Sequence, residues 1–543
     1  MTGDEVALPS LYPADRTASY LDTSVGELLR TVATEVPDRV ALISVGPGEE
    51  PRSWTYSELF DDARRAAHWL LDRFEPGDHL TVWAPNLPEW IILQHGAALA
   101  GLVLVTANPA LRGAELEYLL KQSDSVGVAY AEQFRGTDMA ALIAEVLPHV
   151  PAVREHIRLQ GWLDEIRRRP APERALPEVS AEAPAQLQYT SGTTGFPKGA
   201  LLSHRAMLTN ADYVLTRGHV EAGVTWVSSM PLFHTAGCGT AGLGTLSRRG
   251  TLVLCVLFDP DLMLASVERY AGDVFGAVPA MLRALLARQD TQPRDLSSLK
   301  LVMSGGDTVP PELVVACEER MGAGFSTVYG QTELSPIVAQ TNPDDTVEDK
   351  CHTVGRPLPN VDVSVRSPQD GSVVGRGEIG EICARGYQVM LGYHRMPDET
   401  RSTVDKDGWL HTGDLGVMDE RGYLRVTGRL KDMIIRGGEN IYPREIEAVL
   451  GRHPAVASIV VLGIPDEQWG ETVAAVLSLE PGSDVTAEEL HDFVRGQLAP
   501  HKTPKDWYLT DTLPTNAMGK LQKFRLRELI EASALTRLPS REQ

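Results

Sequence analysis

Tyr189-Thr190-Ser191-Gly192-Thr193-Thr194-Gly195-Phe196-Pro197-Lys198-Gly199 is the stretch on which the reading of this 543-residue chain turns. It follows a short strand-like run, Gln186–Tyr189, and packs four Ser/Thr, three glycines and a lysine into eleven residues. Glycines and hydroxyls in succession let backbone N–H and side-chain O–H groups surround a polyphosphate, while Lys198 adds a positive point charge. The pattern is not a Walker A loop, which needs G-x-x-x-x-G-K-[ST], because Gly199 follows Lys198. The bland alternative is a flexible polar turn.

Outward from this loop the chain alternates helix and strand. Upstream, Ser57–Leu71 has apolar residues at helical spacing, and His79–Val82 and Leu102–Val105 are short β-type runs. A Pro-, Ala- and charge-rich stretch, Arg167–Ala185, reads as a surface linker whose Arg167-Arg168-Arg169 run is a solvated helix end. Downstream the alternation resumes to about residue 340, with Thr251–Leu257 as a strand and Asp261–Tyr270 as a helix. From Val354 to Val426 the texture changes to short strands separated by glycine turns. Past Arg429 a short module follows, with helices over Pro443–Leu450 and Ala487–Leu498 and strands over Ile459–Leu462 and Val473–Leu479. The expected fold class is α/β. A large N-terminal domain, residues 1–430, holds parallel αβ subdomains and a β-rich part at about 354–428, and a small α+β domain covers 431–543.

Composition narrows the functions. With 43% apolar and 23% charged residues the chain has globular proportions. Lys plus Arg total 51 against 73 Asp plus Glu, a net charge of −22, which argues against nucleic-acid or anionic-membrane binding but not against a small anion in a local positive pocket. The five cysteines are widely spaced with no C-x-x-C pair, so no disulfide framework or zinc site is expected, and each reads as a small buried hydrophobe. The most apolar run, Trp90–Val105, is broken by Gln94, His95 and glycines and is short of a bilayer span. The N-terminal residues lack signal-peptide texture and Arg-Glu-Gln at the C-terminus is no peroxisomal address, so a cytoplasmic protein is expected.

Further segments follow the loop in order: Tyr329-Gly330-Gln331-Thr332-Glu333, Thr412-Gly413-Asp414, Gly428-Arg429-Leu430-Lys431-Asp432, Gly437-Gly438-Glu439-Asn440-Ile441-Tyr442-Pro443 and Asn516-Ala517-Met518-Gly519-Lys520. Together with Tyr189–Gly199 they resemble the adenylate-forming superfamily of acyl- and aryl-CoA ligases, luciferases and peptide-synthetase adenylation domains. The resemblance runs from about residue 20 to about residue 530. In wording the tail half is most similar to medium-chain acyl-CoA synthetases.

The resemblance implies an ATP- and Mg²⁺-dependent activation of a carboxylate to acyl-AMP, with CoA as the expected acceptor. Thr190, Ser191, Gly192, Thr193, Thr194 and Lys198 would hold phosphates, and Gly305, Gly306, Asp307, Tyr329, Gly330 and Gln331 would join them in binding ATP or AMP, with Tyr329 against adenine. Thr332 would bond the α-phosphate and Glu333 would ligate the metal, a hard ion that keeps few protein ligands. Asp414 and Arg429 would hold the ribose. Lys520 would touch both the substrate carboxylate and a ribose-side oxygen. Lys431 matches a hinge about which the C-terminal domain swings, bringing Gly437, Gly438 and Glu439 round to admit a pantetheine arm. His234, in Pro231-Leu232-Phe233-His234, would gate the acid pocket, lined by Thr235, Ala236, Gly239, Met303, Gly305, Val328 and Ile337. These residues supply no cation for a second carboxylate, which favours an aryl or medium-chain acid.

The sequence departs from the family wording at Asp307, where relatives usually carry a small residue, and at the unusually small Thr235-Ala236-Gly237. Asp307 could bond adenine or a polar substrate group, or cap the helix after Pro310. The acceptor could instead be a carrier-protein thiol or an amine, or the activated acid could be nitrous acid acting on an aryl amine. A homodimer is compatible with all of these. A rival outside the family is an NAD(P) oxidoreductase, because Gly237-Cys238-Gly239-Thr240-Ala241-Gly242 fits G-x-G-x-x-G with Asp259 about 20 residues on.

Overall fold

The apolar run that ends at Val105 shows how the large part of the molecule is layered. In the computed structural model, which describes residues 8–169, 174–190, 197–437, 439–514 and 521–538, it becomes a helix, Pro88–Ala100, and a strand, Val103–Ala107. Every residue of that helix except Glu89 is buried, so it is apolar on all sides because protein surrounds it. Gly96 lies against the Tyr56–Leu71 helix so closely that a Cβ there would stand 2.7 Å from Ala66 Cβ. Thr55 and Glu58 form a reciprocal capping box that starts this neighbouring helix. No helix among the described residues is long and apolar enough to cross a membrane.

Two parallel-cored sheets flank this region. One runs 392–393, 198–203, 184–190, 103–107, 79–83, 127–130 and 155–158 across its width. The other runs 356–357, 337–340, 324–330, 301–305, 274–276, 225–228, 251–255, 40–45 and 52–55. A third, antiparallel sheet is built from 361–366, 380–386, 410–418 and 424–429, joined at its edge by Leu11–Tyr12. That edge strand comes from the far end of the chain and has no counterpart in the sequence expectation. The antiparallel texture after Val354 arises because neighbouring strands run antiparallel and are joined through loops bearing left-handed glycines such as Gly371, Gly377 and Gly422. After Arg429 a sheet of 439–441, 434–436, 470–479, 456–466, 506–509 and 536–537 has its own apolar core around Ile446, Val461 and Val494.

Several expectations need correction. Arg167 is not merely solvated: its Nε donates to the buried Asp62 carboxylate at 2.9 Å, tying helix Trp162–Arg168 to Tyr56–Leu71. Cys351 is half-buried rather than buried, unlike the other four cysteines, and all five are free. The Gly237–Gly242 stretch is no dinucleotide turn, because it lies inside a π-helix, Ala236–Leu243, not between a strand and an α-helix. Gly237 is required there by packing, since a Cβ would stand 2.2 Å from the Pro231 carbonyl oxygen. Asp259 caps the Pro260–Tyr270 helix, accepting from Leu262 N–H at 2.8 Å. The oxidoreductase reading is thereby overturned.

Candidate active site

Four parallel strands of the second sheet, 225–228, 274–276, 301–305 and 324–330, point their carboxyl ends at one cleft of about 1910 Å³. Ligands of open α/β sheets lodge at this end of the strands, where loops rather than strands supply the side chains. The first sheet contributes the hairpin Pro184–Thr190/Lys198–Ser203, and the antiparallel sheet contributes Thr412–Asp414 and Arg429. All three sheets therefore meet at the cleft.

On one side stands a nucleoside-sized group of polar side chains. Asp414 and Arg429 are direct cross-strand partners, which sets Arg429 Nε 3.2 Å from Asp414 Oδ1. The Tyr329 hydroxyl donates to the other oxygen, Oδ2, at 2.9 Å. Burial first, then the Asp414 charge, pushes the Tyr329 phenol well above its ordinary range, so it remains a donor. Gly305 and Gly306 make a turn above it: a Cβ on Gly305 would lie 2.3 Å from the Val328 carbonyl oxygen, and Gly306 has φ +77°. Gly330 is tighter still, with a Cβ falling 1.9 Å from the Pro336 carbonyl oxygen. Asp307 is exposed on the cleft and accepts from Thr308 N–H. It does not cap the following helix, Pro311–Met321, which starts at Pro310 with no side-chain cap.

Across the cleft, Glu333 is buried on a short 3₁₀ turn, Thr332–Leu334. Its Oε1 accepts from the Tyr393 hydroxyl at 2.7 Å and from Thr190 Oγ1 at 3.4 Å. Lys198 Nζ stands 4.9 Å from the centre of the Tyr393 ring. Both hydrogen bonds fall on Oε1, so among the described residues Oε2 is left to the cleft. Tyr393 was not foreseen from sequence. It lies in Gly392-Tyr393-His394, which has no motif wording of its own, and it comes close only because strand 392–393 pairs with 198–203.

The Thr412–Asp414 turn is held from beneath. Glu381 Oε1 accepts from Gly413 N–H at 3.0 Å, and its Oε2 lies 2.8 Å from His411 Nδ1. Cys383 Sγ is 3.5 Å from the same nitrogen, so Glu381, Cys383 and His411 form a cluster that could superficially pass for a metal site. Burial raises the Cys383 thiol, which disfavours the thiolate that a metal would need. The cluster reads as a hydrogen-bonded brace for the Asp414 turn.

The part of the cleft expected to take the acid is bounded by His234, Thr235, Ala236, Thr240, Met303, Val328 and Ile337. Gly239, expected here, is not on the wall, and Thr240 is. In an α-helix 239 would share a face with 235 and 236. The wider π turn carries the face from 235 to 240 instead.

Gln522 and Arg525 from the C-terminal segment reach the cleft, as does Lys431, whereas Gly437 and Glu439 do not line it. Gly437 N–H bonds the Trp469 carbonyl at 2.8 Å, beneath the exposed Trp469 ring. Ser191, Gly192, Thr193, Thr194, Gly438 and Lys520 lie outside the described residues.

Residues 29–394 match the model of the AMP-binding enzyme family, and 445–520 match its C-terminal domain. The chain belongs to the AMP-binding enzyme family. Among relatives of this AMP-binding enzyme, YngI of Bacillus subtilis (strain 168) is 38% identical over 539 residues, covering 94% of this chain and 98% of the relative. The bovine (Bos taurus) mitochondrial medium-chain acyl-CoA ligase ACSF2 is 33% identical over 541 residues, covering 94% and 88%. Among solved structures, the o-succinylbenzoate CoA synthetase MenE from Bacillus subtilis, in complex with the acyl-adenylate intermediate OSB-AMP, superposes with a TM-score of 0.81 at 31% identity, covering 94% and 99%.

Proposed function

We propose that this AMP-binding enzyme activates a carboxylic acid with ATP, forming acyl-AMP and pyrophosphate, and then passes the acyl group to the thiol of CoA. The observation that carries the reading is the division of one cleft. The Tyr329–Asp414–Arg429 group on one side suits a nucleoside, Lys198 and Glu333 flank the phosphate path, and an uncharged wall remains for the acid.

In the first half-reaction the substrate carboxylate attacks the α-phosphorus and pyrophosphate leaves. Two anions must approach in line, so positive charge must offset their repulsion. Lys198 and the backbone of 190–199 supply it along the phosphates. Thr332 orients the α-phosphate, and Tyr329, through its bond to Asp414, holds adenine and ribose in one frame. Lys520 bridges the acid and the sugar. The Glu333 carboxylate, with Oε2 on the cleft, fits a hard divalent cation that keeps most of its waters. Mg²⁺ held there would neutralise triphosphate charge. In the second half-reaction residues 431–543 turn about Lys431 relative to 1–430, withdrawing Lys520 and bringing Gly437, Gly438 and Glu439 to the cleft. The presence of Gln522 and Arg525 there supports the first arrangement as the one described here. The acid is aryl or medium-chain, with His234 at its gate, and the reaction belongs in the cytoplasm.

The test is a mass-spectrometric product screen with ATP, Mg²⁺ and pooled aryl and medium-chain acids, with and without CoA. AMP together with a CoA thioester is expected. Acyl-AMP without thioester would transfer the acceptor role to a carrier-protein thiol or an amine. No AMP with any acid would refute the adenylation reading.

A further inference from the structure

The wall of the acid pocket carries polar atoms that the protein itself does not use. Trp226 Nε1, Thr235 Oγ1 and Thr240 Oγ1 are buried and have no hydrogen-bond partner among the described residues. The three residues are 2%, 0% and 9% exposed, and all line the cleft. A buried hydroxyl or indole N–H left unpaired is unfavourable, and such groups in folded proteins normally find a partner.

The helix that bears the threonines has a paired hydroxyl beside it. Thr245, just beyond it, satisfies its hydroxyl by back-bonding to the Ala241 carbonyl at 2.7 Å. On the face of the π-helix turned away from the cleft, two glutamines are paired, while His95 Nδ1, buried beside Gly242 and Thr245, has no partner among the described residues. Gln94 Nε2 donates to the Cys238 carbonyl at 3.3 Å, and Gln188 Nε2 donates to Gln186 Oε1 at 2.7 Å. The three residues that bear the orphaned atoms line the cleft, with the atoms themselves just beneath its surface. Trp226 stands on strand 225–228, whose indole passes within 3.8 Å of a Cβ built on Gly276, at the carboxyl end of the next strand. Residues 230–245 contain no Lys, Arg, Asp or Glu, and Met230, Phe233 and Met303 complete an otherwise apolar lining.

Resting on the adenylation reading, we propose that the acid activated here carries an uncharged hydrogen-bonding group, a hydroxyl or carbonyl, on its acyl part beyond the reacting carboxylate. The indole N–H can only donate, so that group must include an acceptor oxygen or ring nitrogen. Either threonine can then donate to it or accept from it. A charged group is disfavoured at this part of the wall because Trp226, Thr235, Thr240 and the apolar residues beside them carry no charge, the cleft's Arg283 standing on a separate element, helix Pro279–Thr291. A plain alkyl or phenyl acid of the same size fills the space but leaves the three atoms unpaired. Sites built to pair a substrate hydroxyl reject the analogue lacking it for this reason.

The test compares matched acids: para-hydroxybenzoate with para-toluate, salicylate with ortho-toluate, and oxo-octanoates with octanoate. AMP release with ATP, Mg²⁺ and CoA is the readout. The best polar acid is expected to exceed its apolar twin in kcat/KM by about tenfold or more. Thr235→Val and Thr240→Val, which keep side-chain shape, should lower that ratio about tenfold, and Thr240→Ser should restore it. Preference for the apolar twins, or valine variants with an unchanged ratio, would overturn the proposal. Failure of every acid to release AMP would overturn the adenylation reading instead. The pocket is then judged by calorimetry with the free acids. Tighter binding of the polar twin, lost in Thr240→Val, supports the proposal, and equal binding of the twins refutes it.

Discussion

Gly330→Ala puts the packing at the centre of the cleft under direct test. The added methyl would fall 1.9 Å from the Pro336 carbonyl oxygen, where a carbon needs about 3.3 Å. A separation of roughly 1.4 Å must therefore open between the two segments, well beyond what side-chain adjustment absorbs. The Gln331 N–H to Pro336 carbonyl bond, 2.9 Å long, spans that gap and is lost. The lost bond costs about 1 kcal/mol and the overpacking about 1–3 kcal/mol, so stability should fall by about 2–4 kcal/mol. For a chain of this size the melting temperature should drop by roughly 2–4 °C. Thr332 and Glu333 follow within three residues, and a displacement of about 1 Å at reacting groups costs on the order of 100-fold in rate. Acid-dependent ATP–pyrophosphate exchange, measured beside thermal unfolding, reports both effects. Gly428→Ala is the comparison, because a Cβ there has nothing within 4 Å and its melting temperature should not fall. A Gly330→Ala protein with wild-type melting and exchange within about threefold would refute the reasoning.

Tyr393→Phe keeps the ring beneath Lys198 but removes the hydroxyl that fixes Glu333, so the Mg²⁺ concentration for half-maximal adenylation should rise about tenfold, as a Mg²⁺ titration would register. Lys520→Ala should lower acyl-AMP formation by about 10²–10³-fold while sparing thioester formation from supplied acyl-AMP, which single-turnover assays of each half-reaction separate. The Glu381 hydrogen bond raises the His411 pKa above its ordinary 6.5. The raised value means that the stabilisation is full below 6.5 and is lost as pH rises through the folded value. Melting temperature should therefore decline above about pH 7 in the wild type, and His411→Gln should flatten that limb.

The alternation of helix and strand and the change of texture after Val354 were legible because parallel strands are joined by helices, whereas the antiparallel strands are joined by glycine-bearing turns. Pro443–Leu450 was readable to the residue, since its proline and apolar spacing mark a helix start and a buried face. What escaped was whatever depends on distant pairing. Leu11–Tyr12 joins a sheet made more than 350 residues later, and Tyr393 reaches Glu333 through a two-residue strand. No local periodicity announces either. The motif residues themselves arrived as a resemblance, and what the structure adds is their physical company: Asp414 between Tyr329 and Arg429, and Glu333 beneath Tyr393. Gly239, carried over with the family resemblance, gives way to Thr240 on the wall because the segment winds at π-helical pitch.

That last point has a consequence for how the acid preference of this enzyme could change. A substitution alters one side chain, but the wall between 235 and 243 is set by a helix carrying an extra residue per turn. If the segment wound at ordinary pitch at its present length, position 239 rather than 240 would share the face of Thr235, and a glycine would stand where the wall has a hydroxyl. Deleting one residue between Ala236 and Thr240 together with that change would keep Thr240 on the wall. The winding of this helix, and not only its side chains, therefore decides the surface offered to the acid.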